Sequence, residues 1–292
     1  MIVVAGGTGR LGTALVRRLV LSGHDVRVFS RGLSGKTPEG TDVVHGDIRS
    51  EADVQHAVAG ADVVVSAVQG VAGPGRVTPR SVDRDGNLCL FRVAEREGVE
   101  VVLVSVTHAA PDSPLEIARE KYAAERALRE SRTGWTVVRS AAFAELWIQL
   151  LQDTAKRSHR PLVFGRGQNP LWWVSVEDVA AEVARVTLDL DGSDRGRTVD
   201  VVGPEGLSLG ELAHKVMVAN GWPGSPRRVS PAALRLGAAT IGRVVPAVGR
   251  QMRAALAMDS LSPESQVAIG AAADRRTVDD LLAAATPRRP VA

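Results

Sequence analysis

Ile2-Val3-Val4-Ala5-Gly6-Gly7-Thr8-Gly9-Arg10-Leu11-Gly12 is the stretch whose reading decides the fold. Its first four residues form an unbroken apolar run, the pattern of a strand covered on both faces. After the glycines, Leu11, Ala14, Leu15 and Leu19 recur at helical spacing, and Gly23 closes the helix. Glycines at 6 or 7, 9 and 12 have separate duties in a strand-to-helix turn. One permits a sharp reversal, one lets backbone amides approach a pyrophosphate, and one lets the helix pack close to the strand. The helix N-terminus adds unpaired N–H groups and a positive dipole end. The same glycines would serve an ordinary strand-to-helix turn, but the flanking strand and amphipathic helix favour a dinucleotide site. Gly6, Gly7, Thr8, Gly9, Arg10, Leu11 and Gly12 are therefore expected cofactor contacts.

The second strand, residues 26–29, leads into Ser30-Arg31, where a binder of NAD would carry Asp or Glu for the ribose 2′-OH. A guanidinium there can grip a 2′-phosphate in two places, so NADP(H) is the expected cofactor, with Arg10 and Lys36 as further cations. Arg31 would otherwise be a solvated loop charge. Asp47, after a short third strand at 43–45, is placed either to accept from the adenine amino group or to shape the turn before Ser50. Ile48, with Ala67 and Val68 at the end of the fourth strand, completes the expected cofactor set.

The remaining pattern alternates strands with helices. Strands are expected at 61–68, 99–106 and 136–139. Helices are expected over 54–58, with Ser50 as cap, over 82–97, and over about 14 residues ending at Ser131. Pro74 and Pro79 mark a loop between them. This repetition predicts an α/β, doubly wound parallel sheet of the Rossmann type with a smaller C-terminal substrate region. Residues 1–140 are read as the dinucleotide-binding core, 141–285 as a smaller mixed region interleaved with it, and 286–292 as a disordered tail. Within that region helices are expected at 142–157, 176–188 and 207–219 and strands at 162–164 and 198–202. Residues 226–258 read as helical and broken by Pro246.

The 292 residues carry 36 basic and 33 acidic groups, a net charge of +3 that is well mixed, so no nucleic-acid partner is expected. The lone cysteine, Cys89, makes no internal disulfide, which fits a reducing cytoplasm. No apolar stretch approaches the roughly 20 residues needed to span a bilayer, and no membrane partner is expected. The six histidines are scattered, so no metal site is expected, and no Gly-x-Ser-x-Gly elbow supports a hydrolase. A small-molecule substrate is the expected partner, and a homodimer is left open.

The glycine turn, His45-Gly46-Asp47 and Lys121-Tyr-Ala-Ala-Glu125 together resemble atypical short-chain dehydrogenases/reductases, nearest the NmrA-like proteins. Trp135-Thr-Val-Val-Arg139, Val174-Ser-Val-Glu-Asp178-Val-Ala180 and Val202-Gly-Pro-Glu-Gly-Leu-Ser-Leu-Gly-Glu211-Leu continue the likeness to about residue 215. The resemblance implies a Rossmann domain that usually uses NADP(H). It also implies a Tyr-x-x-x-Lys pair plus a Ser or Thr at the end of strand five. Lys121 and Thr107 match two of these positions, but the tyrosine position holds Ile117, which transfers no proton. Tyr122, one residue past Lys121, faces elsewhere on a helix.

Thr107, Lys121 and His108 are the candidate catalytic groups. Lys121 would hold the nicotinamide ribose, and Thr107, His108 or water would supply a proton. Phe143, Trp147, Trp172 and Trp173 would wall a flat apolar pocket or simply pack. Arg227 and Arg228 would flank its mouth or face solvent. Two functions stay open. One is NADPH-dependent hydride transfer to a small apolar or conjugated, quinone- or enone-like acceptor. The other is a non-catalytic NADP(H)-binding protein that reports redox state.

Overall fold

Strand β1, Ile2–Ala5, is buried along its whole length because a strand pairs with it on each side. Val26–Ser30 (β2) pairs on one edge and Val63–Ser66 (β4) on the other, both parallel. In the computed structural model, which describes residues 1–32, 37, 40–71, 73, 75–189, 192–261 and 274–285, seven parallel strands form one sheet. Lys36 and the expected tail, 286–292, lie outside the described residues. Asp42–His45 (β3), Glu100–Val106 (β5), Trp135–Ser140 (β6) and Arg197–Val201 (β9) complete the order β3-β2-β1-β4-β5-β6-β9. The order reverses between β1 and β4, which opens a crevice at the carboxyl ends of those strands.

Arg10–Leu21 (α1) and Val176–Thr187 (α6) pack together against this sheet. Glu51–Val58 (α2), Asp85–Glu97 (α3) and Glu116–Glu130 (α4) form a second packed group. Val3, Ala5, Val64, Val101, Leu103 and Val137 project from the sheet into one cluster with Val54, Leu90 and Leu128 from these last three helices. Ser50 caps α2 as expected, accepting from the Asp53 amide at 3.3 Å. Pro79 does not sit in a loop. It is the first residue of a π-helical turn, Pro79–Arg84, that runs into α3. Proline lacks the N–H that a first-turn position leaves unpaired anyway, and Thr78 and Ser81 close a capping box around it.

The chain divides into two compact units. The first holds Met1–Ser140 and Val176–Val201; the second holds Ala141–Ser175 and Val202–Ala292. The second unit contains Ala144–Ala155 (α5), Leu209–Asn220 (α7) and a last helix, Val278–Ala285, packed on one another. Two short ribbons join them. Leu162–Phe164 (β7) pairs with Arg227–Val229 (β11), and Pro170–Trp172 (β8) pairs with Gly206–Ser208 (β10). Residues 227–229 are thus a strand, not helix: Arg227 and Arg228 face solvent while the backbone bonds to β7. Beyond them, Pro231–Val244 (α8) and Pro246–Met258 (α9) form an antiparallel pair, with Pro246 starting the second helix at a position that tolerates it.

Candidate functional site

The glycine turn is built by contact as much as by conformation. Gly6 has φ +82°, and a Cβ there would lie 2.9 Å from the Ala67 carbonyl oxygen at the end of β4. At Gly12, inside α1, a Cβ would come within 2.2 Å of the Gly6 carbonyl oxygen, so only glycine lets the helix seat on the turn. Gly9 is the N-cap of α1 and offers no side-chain cap; the helix also carries no acidic residue in its first turn. A Cβ at Gly9 would meet only the Gly6 oxygen, at 3.2 Å. Apart from that oxygen, no described atom outside the neighbouring residues comes within 4 Å of such a Cβ, and the first-turn amides of a helix lack intrahelical acceptors. This cradle fits a pyrophosphate. Arg10 and Thr8 lie at its rim, and Leu11 is buried beneath it.

The ends of the neighbouring strands frame the crevice. Ser30 accepts from the Gly32 amide at 3.2 Å, which shapes the turn carrying the exposed Arg31. Asp47 is bound by Arg49, whose Nε and one terminal nitrogen donate to the two carboxylate oxygens at 2.8 and 2.6 Å. These hydrogen bonds hold the Asp47 carboxyl below the usual range, and Arg31 adds a smaller pull. Ile48 is buried against Gly86, and the Ala67 amide donates to the Ala5 carbonyl at 2.9 Å.

Lys121, in α4, is only 3% exposed. Its Nζ donates to the Val68 carbonyl at 3.1 Å and lies 3.3 Å from Oδ1 of Asp83, an ionic contact without hydrogen-bond alignment. Oδ2 of Asp83 accepts from the Gly70 amide at 2.8 Å. Burial pushes the Asp83 carboxyl up, while Lys121 pulls it down. The lysine is thus fastened between the end of β4 and the π turn. Ile117 stands one helical turn before it, half-buried, in the first turn of α4.

Thr107 is buried, and its amide donates to the Ser140 carbonyl at 3.0 Å. His108 follows with φ 64°, a left-handed conformation that costs a non-glycine residue roughly 1–2 kcal/mol. Burial lowers its pKa below the ordinary imidazole value, with Asp200 opposing the shift, so it is neutral near pH 7. Beside this edge lies a charged network that the sequence reading missed. Glu125 is fully buried and accepts from Ser105 Oγ at 2.6 Å, from Arg139 at 2.6 and 2.9 Å, and from Arg129 at 2.8 Å. Asp83 was also missed. The sequence signal was indirect: a lysine on the buried face of a helix needs a counter-charge, but no spacing names it.

Of the two readings of the aromatic residues, packing describes Trp147 and Trp173. In the second unit Trp147 and Trp173 meet at 5.6 Å between ring centroids, around a cavity of about 20 Å³, room for about one water. Trp173 Nε1 donates to the Leu207 carbonyl at 2.7 Å, and the Trp172 ring lies over Gly206. Phe143 pairs through its backbone with Val174.

The model of a family described as NAD(P)H-binding matches residues 6–189. The chain belongs to this family. As an NAD(P)H-binding protein it has the fold of the atypical short-chain dehydrogenases/reductases, of the NmrA-like kind. The chain is 29% identical to an NAD(P)H azoreductase of Xenophilus azovorans over 228 residues, covering 76% of this chain and 75% of that protein. It is 28% identical to the photosystem II assembly factor Ycf39 of Synechocystis over 216 residues, 72% and 65% of the two chains. An Escherichia coli NADPH-dependent quinone oxidoreductase, QOR2, solved with NADPH, superposes with a TM-score of 0.74 at 18% identity, covering 97% of this NAD(P)H-binding chain and 99% of that one. That last likeness is one of fold.

Proposed function

We propose that this chain is an NADPH-dependent oxidoreductase that transfers hydride to a small apolar or conjugated, quinone-like acceptor without a catalytic tyrosine. The observation that carries this reading is the buried ammonium of Lys121, fixed by Asp83 and Val68 at the crevice, with Ile117 where a tyrosine would stand. The azoreductase relative supports it, since an azo group is a conjugated acceptor. Gly6, Gly7, Gly9 and Gly12 would hold the pyrophosphate, Arg31 and Arg10 the 2′-phosphate, and Lys121 the nicotinamide ribose. Residues 141–175 and 202–285 are the proposed acceptor-binding part.

When bound, the nicotinamide supplies the hydride. The side chains act on charge and protons. Delocalised oxyanion character on a reduced quinone is steadied by Lys121. Water, positioned by Thr107 or by the neutral His108 imidazole, would give the proton to the acceptor oxygen or nitrogen, leaving hydroxide that solvent neutralises. An isolated alkoxide gains no such help beside Ile117. General acids typically contribute about 10²–10⁴-fold, so simple ketones should turn over slower by that order than with a tyrosine in place.

The test follows loss of NADPH absorbance with a panel of quinones, azo dyes, enones and one unconjugated ketone. Turnover of the conjugated acceptors and near-silence with the ketone is expected; brisk ketone reduction would overturn the reading. Tight NADPH binding without any turnover would favour the second reading, a non-catalytic NADP(H)-binding protein. That alternative is kept because Ile117 removes the usual acid and because one relative is named as an assembly factor.

A further inference from the structure

Residues 226–258 contain Arg227, Arg228, Arg235, Arg243, Arg250 and Arg253 and no Asp or Glu. Only Arg250 is buried; the other five are exposed. Helices α8 and α9 lie close enough that a Cβ on Gly242 would come 2.8 Å from the Gly249 Cα, so the pair forms a tight hairpin. Leu234, Gly237 and Ala238 point inward and account for the buried side of α8. The outward side is not polar. Leu236, Ile241, Val244 and Val245 are exposed, Val244 by 82%, and they are four of the seven large exposed apolar side chains among the described residues. Three of the four cluster at the bend, where Val245 ends α8 and precedes Pro246 of α9.

An exposed apolar bend on a hairpin whose own residues carry arginines and no acid is not what a solvated face needs. Pairing with a second copy through the same patch is disfavoured, because a two-fold contact would set arginines against arginines. An apolar bend that carries Arg243 among its exposed aliphatic side chains, with Arg235 and Arg253 exposed further along the two helices, matches a bilayer surface instead. Aliphatic side chains there enter the headgroup boundary while guanidinium groups reach the phosphates. We infer that the α8–α9 hairpin is a docking surface for an anionic lipid bilayer, with Ile241, Val244 and Val245 inserted and Arg235, Arg243 and Arg253 at the headgroups. No described helix is long and apolar enough to cross a membrane. A docking hairpin needs no spanning segment, so it has no such signature in sequence. Docking of this kind holds whether or not the chain reduces an acceptor.

The experiment sediments the intact protein with phosphatidylcholine vesicles, with and without phosphatidylglycerol. Binding to the anionic vesicles alone, weakened by salt, is expected. Arg235→Gln, Arg243→Gln and Arg253→Gln together should lower the partition coefficient roughly a hundredfold, at about fivefold per arginine. A Val244→Cys variant can be labelled selectively, since the one native cysteine, Cys89, is buried. An environment-sensitive dye there should shift its emission to the blue on vesicle addition, and Val244→Asp should weaken binding without changing the thermal midpoint or NADPH affinity. Absence of vesicle binding, binding indifferent to both the arginine and the Val244→Asp changes, or binding with no dye shift would each overturn the inference. So would a dimer that Val244→Asp dissociates, which would assign the patch to a second copy.

Discussion

Lys121 keeps its ammonium inside the protein, where an unpaired charge would be intolerable, and Asp83 is what makes that tenable. Asp83→Asn should therefore destabilise the chain by about 3–5 kcal/mol, the usual consequence of leaving a buried partner uncompensated. Lys121→Met combined with Asp83→Asn should recover part of that loss. Urea unfolding of the two single variants and the double variant checks it; simple additivity would show that the pair is not coupled. Arg31 acts on cofactor choice rather than stability. Arg31→Asp should erase or reverse a preference for NADP(H) worth roughly 1–3 kcal/mol, read by titrating both cofactors. Equal affinities in the native chain would refute that role. His108 sets a pH dependence. Its folded pKa lies below the unfolded value of about 6.5, so the unfolded chain takes the proton first, and stability falls as pH drops below that point. His108→Asn, which tolerates the left-handed backbone, should flatten the slope on the acid side in urea titrations at stepped pH.

At the scale of elements, the turn before α1 separates shape from binding. Gly9→Val should abolish NADPH binding while the thermal midpoint moves little, because its side chain would fill the cradle and not the core. Gly12→Ala should lower both, since its methyl group would press on the Gly6 oxygen and lift α1 from the sheet. Calorimetry beside a binding titration tells the two apart. This element was legible because its information is local: a strand, a turn and a helix within a few residues of one another. The π turn was not. Pro79 and the glycines before it read as loop, and only the Thr78–Ser81 capping box reveals that a helix begins there. The same limit hid Asp83 and Glu125. Glu125 and Arg139 stood in the quoted motifs, but their ion pair forms only when α4 packs on β6. The short ribbons β8–β10 and β7–β11 have three-residue strands, too short for a period to show.

Across the whole molecule, the alternation of strands and helices foretold the parallel sheet, and the sheet order added what periodicity cannot give. Strand β9 returns to pair with β6 after residues 141–175 have left for the second unit. That detour matters on the ribosome. Between Ser140 and the end of β9 about sixty residues must be made, which takes roughly 3–12 s at ordinary elongation rates. During that interval Trp135–Ser140 has a bare edge, and an apolar strand with an unpaired edge invites another nascent chain. The nascent chain should therefore be most vulnerable to aggregation and chaperone capture when arrested near residue 175. Extending it until residue 201 has cleared the exit tunnel should relieve this, and force-sensitive arrest peptides placed at stepped lengths would show the release.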